Sequence, residues 1–113
     1  MVKLYGIKNC DSVKKAVKFL KANDIAYELI DFKTTPVGCD IVKPWLEQVT
    51  MKTLFNTRGT TYRTLKLKEL SLNEEQQLQW LCKENLLIKR PVLDLDGKIT
   101  VAFDQAVYEE LFS

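Results

Sequence analysis

The stretch up to Phe32 restricts the fold more than any other part of the chain. Residues 2–7 alternate and carry β-forming side chains, and Lys8-Asn9-Cys10-Asp11-Ser12 then interrupts the pattern with residues that favour turns and helix starts. Over residues 12–22 the apolar Val13, Ala16, Val17 and Leu20 recur at helical spacing, while Lys14, Lys15, Lys18 and Lys21 fall mostly on the other face. Asn23-Asp24 ends that helix, and residues 25–32 read as a second strand. Strand, helix and strand in so short a span predict a parallel pair joined by a right-handed crossover. In such a unit ligands meet the chain beyond the carboxyl ends of the strands, which is where loop 8–12 lies.

A second strong signal stands near the other end. After Arg90-Pro91, the runs Val92-Leu93-Asp94-Leu95 and Lys98-Ile99-Thr100-Val101-Ala102-Phe103 flank Asp96-Gly97, which predicts a hairpin with a two-residue turn. Pro91 suits the first position of its strand, where a missing N–H costs least. Asp104 can cap a last helix carrying Ala106, Val107 and Leu111. Between the two signals, residues 34–87 hold no convincing strand run but several helical ones. Val42, Trp45, Leu46 and Val49 give one stripe, with Pro44 tolerable only in or near a first turn. A short turn is expected at 51–56, a further piece at 62–70, and a helix at 73–85 that Ser71 or Asn73 caps and whose Leu78, Leu81 and Cys82 face inward. Trp45 and Trp80 sit at core spacing. The order βαβ, helices, ββα is that of an α/β, thioredoxin-like fold with an inserted helical subdomain at about 36–87. A length of 113 residues suits one domain, and with no repeat, low-complexity tract or linker, 1–113 reads as a single one.

Composition narrows the chemistry. The chain has no histidine, which excludes Ser-His and Cys-His catalytic pairs and the usual zinc sites, so no metal is expected. With 17 basic against 15 acidic residues the charge is nearly balanced, which gives no sign of a nucleic-acid-binding tail. The opening residues lack the apolar core of an export signal, and no run approaches membrane-spanning length. The three cysteines, Cys10, Cys39 and Cys82, are odd in number and form no C-x-x-C pair. Together these features predict reduced thiols, no disulfide scaffold, and a cytoplasmic monomer.

Cys10 is the candidate reactive residue. A thiol at a helix N-terminus meets the positive end of the helix dipole and unpaired backbone N–H groups, which favour the thiolate, and Lys8 adds a nearby charge. The same N–H groups can hold an oxyanion or a carboxylate. The competing reading is a small, inert residue. Arg58 and Arg63, with Thr60, Thr61 and Tyr62, form a polar cluster suited to anions, or an ordinary surface. Cys39 follows the second strand and is a candidate resolving thiol, whereas Cys82 reads as a core residue.

Three segments taken together, Gly6-Ile7-Lys8-Asn9-Cys10-Asp11, Asn56-Thr57-Arg58-Gly59-Thr60-Thr61-Tyr62 and Leu87-Ile88-Lys89-Arg90-Pro91-Val92, resemble the YffB branch of the arsenate reductase (ArsC) and Spx family over essentially the whole chain. The resemblance implies that Cys10 is the redox thiol and that Arg90, before a cis Pro91, faces it. It implies an anion pocket lined by Arg90 and Arg58, and Lys8, Asn9 and Arg63 are further candidates for binding the anion. It implies no bound cofactor, glutathione or glutaredoxin as the source of electrons, and a small thiol, disulfide or oxyanion as substrate. The chain also departs from the pattern. Arsenate reductases of this type carry an arginine where Asn56 stands, another where Phe103 stands, and a histidine before the cysteine. Spx regulators usually carry a second cysteine where Val13 stands. The resemblance therefore points to a glutathione- or glutaredoxin-coupled reductase with a single redox cysteine. A non-catalytic Spx-like regulatory module and an authentic arsenate reductase stand as alternatives.

Overall fold

In the computed structural model, which describes residues 2–113, β1 (Val2–Gly6) and β2 (Tyr27–Asp31) run parallel with Leu4 opposite Leu29. Helix α1 (Asp11–Ala22) joins them, burying Val13, Ala16 and Leu20 and leaving its lysines exposed, as the apolar spacing predicts. The second strand starts later than the sequence suggests. The Ile25 N–H is drawn back to the Leu20 carbonyl and the Asp24 N–H to that of Lys21, with Asp24 left-handed at φ 54°. This closes α1 in a Schellman motif, so Ile25 serves the helix end and the strand begins only at Tyr27.

β3 (Val92–Leu95) pairs antiparallel with the other side of β1, and β4 (Lys98–Val101) pairs antiparallel with β3, giving the sheet order β2-β1-β3-β4. The predicted hairpin forms with Asp96 at φ 50° and Gly97 at φ 98°, the two positive values that a right-twisted two-residue turn requires. Asp94 Oδ1 accepts the Gly97 N–H at 2.7 Å and secures the turn. The last strand is shorter than its apolar run: Ala102 donates its N–H to its register partner Pro91, but turns left-handed at φ 67° and ends the strand there. Asp104 caps α6 (Gln105–Leu111) by accepting the N–H groups of Ala106 and Val107. Val2, Leu4, Val13, Ala16, Leu20, Leu93 and Tyr108 form the core of this unit, which comprises the chain up to Lys33 together with Arg90–Ser113.

Thr34–Lys89 forms a second compact unit. It holds α2 (Cys39–Trp45), α3 (Met51–Leu54), α4 (Thr60–Thr64) and α5 (Glu74–Lys83), with single 3-10 turns at Leu67–Leu70 and Asn85–Leu87. Helix α2 begins before the apolar stripe does, so Pro44 falls in its last turn rather than its first. The helical bond that Pro44 cannot make would have gone to the exposed Asp40, and the chain continues from Leu46 to Val49 in hydrogen-bonded turns. The run predicted at 62–70 is broken by Lys66 at φ 54° into α4 and a 3-10 turn. Asn73, not Ser71, caps α5, in a reciprocal capping box with Gln76. Trp45 is buried, but Trp80 is only half-buried, with the Lys83 ammonium over its ring at 5.3 Å.

Two ties hold α5 to the segment that enters α2. The buried Asn85 side chain accepts the Val37 N–H at 2.7 Å and donates to the carbonyls of Val37 and Leu81, each at 2.9 Å. Beside it Cys39 and Cys82 form a disulfide across Cα atoms 5.1 Å apart. This corrects the expectation of three reduced thiols, of an inert Cys82 and of Cys39 as a thiol free to resolve Cys10. Parity and spacing along the chain say nothing about two cysteines 43 residues apart whose helices pack together. Closing a loop of that length contributes about 4 kcal/mol in the chain-entropy account.

Gly6 meets α1 more closely than any side chain allows: a Cβ there would stand 2.6 Å from Val13 Cγ2, and Val13 is stiff at χ1. Gly6→Ala is expected to lower stability by about 1–3 kcal/mol. In guanidinium unfolding the double variant Gly6→Ala/Val13→Ala should be less destabilised than the two single losses added together.

Candidate functional site

The end of β1 sets the position of Cys10. Gly6 accepts the Phe32 N–H at 2.8 Å, which locks β1 and β2 together at their carboxyl ends, and the chain then crosses in four residues to the start of α1. Cys10 is the N-cap, extended at φ −131° and ψ 126°, and its carbonyl accepts the first helical N–H, that of Lys14, at 2.9 Å. Its side chain makes no capping hydrogen bond and is half-buried, with one side against the core and the other open. Lys8 and Asn9, just before it, are exposed.

Asp31, the last residue of β2, is a further member of this edge. It is 9 % exposed, accepts the Lys33 N–H on Oδ1 at 2.8 Å, and accepts the Lys8 N–H on Oδ2 across a longer 3.4 Å. One carboxylate thus ties the loop that carries Cys10 to the loop that leaves β2. Sequence reasoning passed it over, although an acidic residue directly after the apolar pair Leu29-Ile30 was a signal.

The register of β1 with β3 brings a third loop here. Tyr5 lies opposite Val92, and the next step in an antiparallel ladder sets Pro91 beside Gly6. The Arg90–Pro91 bond is cis, as the resemblance implies. Pro91 is buried and its carbonyl accepts the Ala102 N–H at 2.8 Å, while Arg90 is half-buried. One edge of the sheet therefore carries Lys8, Asn9, Cys10, Asp31, Arg90 and Pro91. Arg58 and Arg63 belong to the helical unit and are exposed; the Arg58 N–H donates to Asn56 Oδ1, and the Tyr62 ring meets Phe55 edge-on at 5.9 Å. Among the described residues no cluster of cysteine and carboxylate side chains is arranged to hold a metal ion.

Phe103 is held by packing. Its ring packs edge-on against Tyr108 at 4.8 Å and lies tilted against Phe19 at 6.3 Å, in an aromatic cluster that Phe112 completes. A side chain held there supports α1 from behind and supplies no cation to an anion.

The sequence profile of the ArsC family matches residues 5–111. Among relatives, an uncharacterized protein of Haemophilus influenzae is 35% identical over the full length of both chains. The global transcriptional regulator Spx of Listeria innocua is 27% identical, with 93% of this chain and 82% of that protein covered. Among solved structures, a YffB protein superposes over the whole of both chains with a TM-score of 0.92 at 32% identity. A possible arsenate reductase from Streptococcus mutans gives 0.84 at 32% identity, over 100% of this chain and 98% of its own.

Tyr108, at the centre of the aromatic cluster, is fully buried, and among the described residues its hydroxyl has no hydrogen-bond partner. Burial pushes its phenol well above the ordinary range, so the folded chain favours the neutral form. Burial, with Asp94 and then Glu28 nearby, pushes Tyr5 the same way. The stability these groups contribute is complete below the ordinary phenol pKa of about 10 and is lost as pH rises above it. Tyr108→Phe should change stability at neutral pH by less than about 1 kcal/mol and flatten part of the loss above about pH 10, measured by denaturant titration at both pH values.

Proposed function

The chain belongs to the ArsC family, and from that premise we propose that it is a thiol-dependent reductase of the cytoplasm in which Cys10 is the exchanging thiol. The observation that carries this reading is that Cys10 is the one free cysteine, set at the N-cap of α1 on the edge that also holds Arg90. Among the described residues no second thiol is free, so the reading requires an external reductant, for which glutathione, directly or through a glutaredoxin, has the right chemistry.

In the proposed cycle the Cys10 thiolate attacks one sulfur of a substrate disulfide. The Cys10–substrate bond forms, the substrate S–S bond breaks, and the second sulfur leaves as a thiolate that takes a proton. A glutathione thiolate then attacks the substrate sulfur of the mixed disulfide, returning Cys10 and releasing a glutathione–substrate disulfide. A second glutathione reduces that product, so two thiols supply the two electrons. Arg90, with Lys8 and Asn9 on the same edge, would hold a carboxylate or oxyanion of the substrate, a task to which a guanidinium is suited. Arg58 enters this reading from the family pattern and Arg63 from the polar cluster they share in the sequence, and no bound cofactor is part of it.

Arsenate is not the proposed substrate. An oxyanion carrying more than one charge beside a thiolate needs several cations, and each missing charge-assisted contact forfeits about 1.5–3 kcal/mol. The positions of two of them are Asn56 and the packed Phe103. The similarity to Spx supports a second reading, a regulator that retains the thiol without turnover.

Exposure to glutathione disulfide is expected to give an adduct on Cys10, absent in Cys10→Ser, and Arg90→Ala should slow its formation about tenfold or more. Arsenate turnover with glutathione and glutaredoxin should be negligible. Failure of both the adduct and any disulfide reduction would favour the regulatory reading, and arsenate turnover comparable to that of an arsenate reductase would overturn the substrate argument.

A further inference from the structure

The Cys39–Cys82 bond lies in the helical unit, and neither cysteine is sealed in its core: both are half-exposed. Cys39, and not Cys82, lines an open depression of about 440 Å³ whose rim includes Lys43, Met51, Glu74, Glu75 and Leu78. The bond also duplicates a constraint. The segment entering α2 is already fastened to Asn85 through both backbone groups of Val37, two residues before Cys39. Buried Val42, Trp45 and Leu81 pack the unit independently of either sulfur. A bond that is half-exposed, reachable from one side and not the sole fastening of its segment has the attributes of a labile disulfide rather than of an inert staple.

We propose that Cys39–Cys82 is a second thiol–disulfide exchange centre, opened and closed by a small zwitterionic thiol of the glutathione class, with Cys39 as the sulfur attacked. The incoming thiolate reaches Cys39 Sγ through the depression, whose rim carries both signs of charge, as the thiol does. The bond from Cys39 to the incoming sulfur forms, the Cys39–Cys82 bond breaks, and Cys82 leaves as a thiolate that takes a proton. A second small thiol attacks the mixed disulfide, freeing Cys39 and releasing a symmetrical disulfide. Two electrons pass from two small thiols to the protein, and the symmetrical disulfide reverses both steps. The Asn85 clamp keeps the fold while the first residue of α2 is released. This centre does not rest on the proposed role of Cys10.

The test uses the full chain carrying Cys10→Ser, so that failure of the Cys10 reading leaves it untouched. Equilibration in mixtures of reduced and oxidised glutathione, acid quenching, alkylation and mass measurement should show one reversible two-electron transition, with tryptophan fluorescence unchanged in form. Adding Cys82→Ser should give a glutathione adduct on Cys39, and adding Cys39→Ser instead should slow adduct formation on Cys82 about tenfold. A bond that resists excess reduced glutathione until the protein unfolds would overturn the proposal, as would two thiols that glutathione disulfide never joins. Equal reactivity of Cys39 and Cys82 would overturn the assignment of the attacked sulfur.

Discussion

The close approach of α1 to the end of β1 is the constraint on which the thiol edge depends. Gly6 has no Cβ, so Val13 can enter the space a side chain would fill, and the chain can pass from strand to helix in four residues. The same residue accepts the Phe32 N–H, and its ladder partner on β2 is Asp31, whose carboxylate reaches back to Lys8. On its other side the ladder continues to Pro91. A single backbone position thus gathers the three loops that carry Cys10, Asp31 and Arg90. Side chains supply the chemistry, but the geometry comes from one close packing contact and three strands in register.

The unit that carries this edge was largely legible in the sequence. Alternation, the helical spacing of Val13, Ala16 and Leu20, and the Asp96-Gly97 turn are local signals whose physics acts over a few residues, and each formed the element it predicts. The discrepancies lie at the ends of elements, where a left-handed residue sets the boundary. Beside Asp24, Ile25 gives its N–H to the helix carbonyl of Leu20 rather than to a ladder, and Ala102 turns out of the strand while keeping its bond to Pro91. Asp31 was missed because one of its partners, the Lys8 N–H, lies across a parallel pairing that composition does not display.

The helical unit was less legible for the same reason. Its helices are short, and their ends are set by caps and by left-handed residues such as Lys66 rather than by periodicity. Its two ties, Asn85 to Val37 and Cys39 to Cys82, span 48 and 43 residues. Counting cysteines predicts three reduced thiols. Packing α2 against α5 instead divides them into a joined pair and one thiol at the N-cap of α1.

That division is the central claim about this chain, because it leaves Cys10 as the thiol free to exchange with an outside partner. It is tested most directly by alkylating the native protein without reductant and mapping its peptides by mass spectrometry. The account predicts an alkylated Cys10 peptide together with a linked Cys39–Cys82 pair. A peptide joining Cys10 to Cys39 or to Cys82, with the remaining cysteine alkylated, would contradict it.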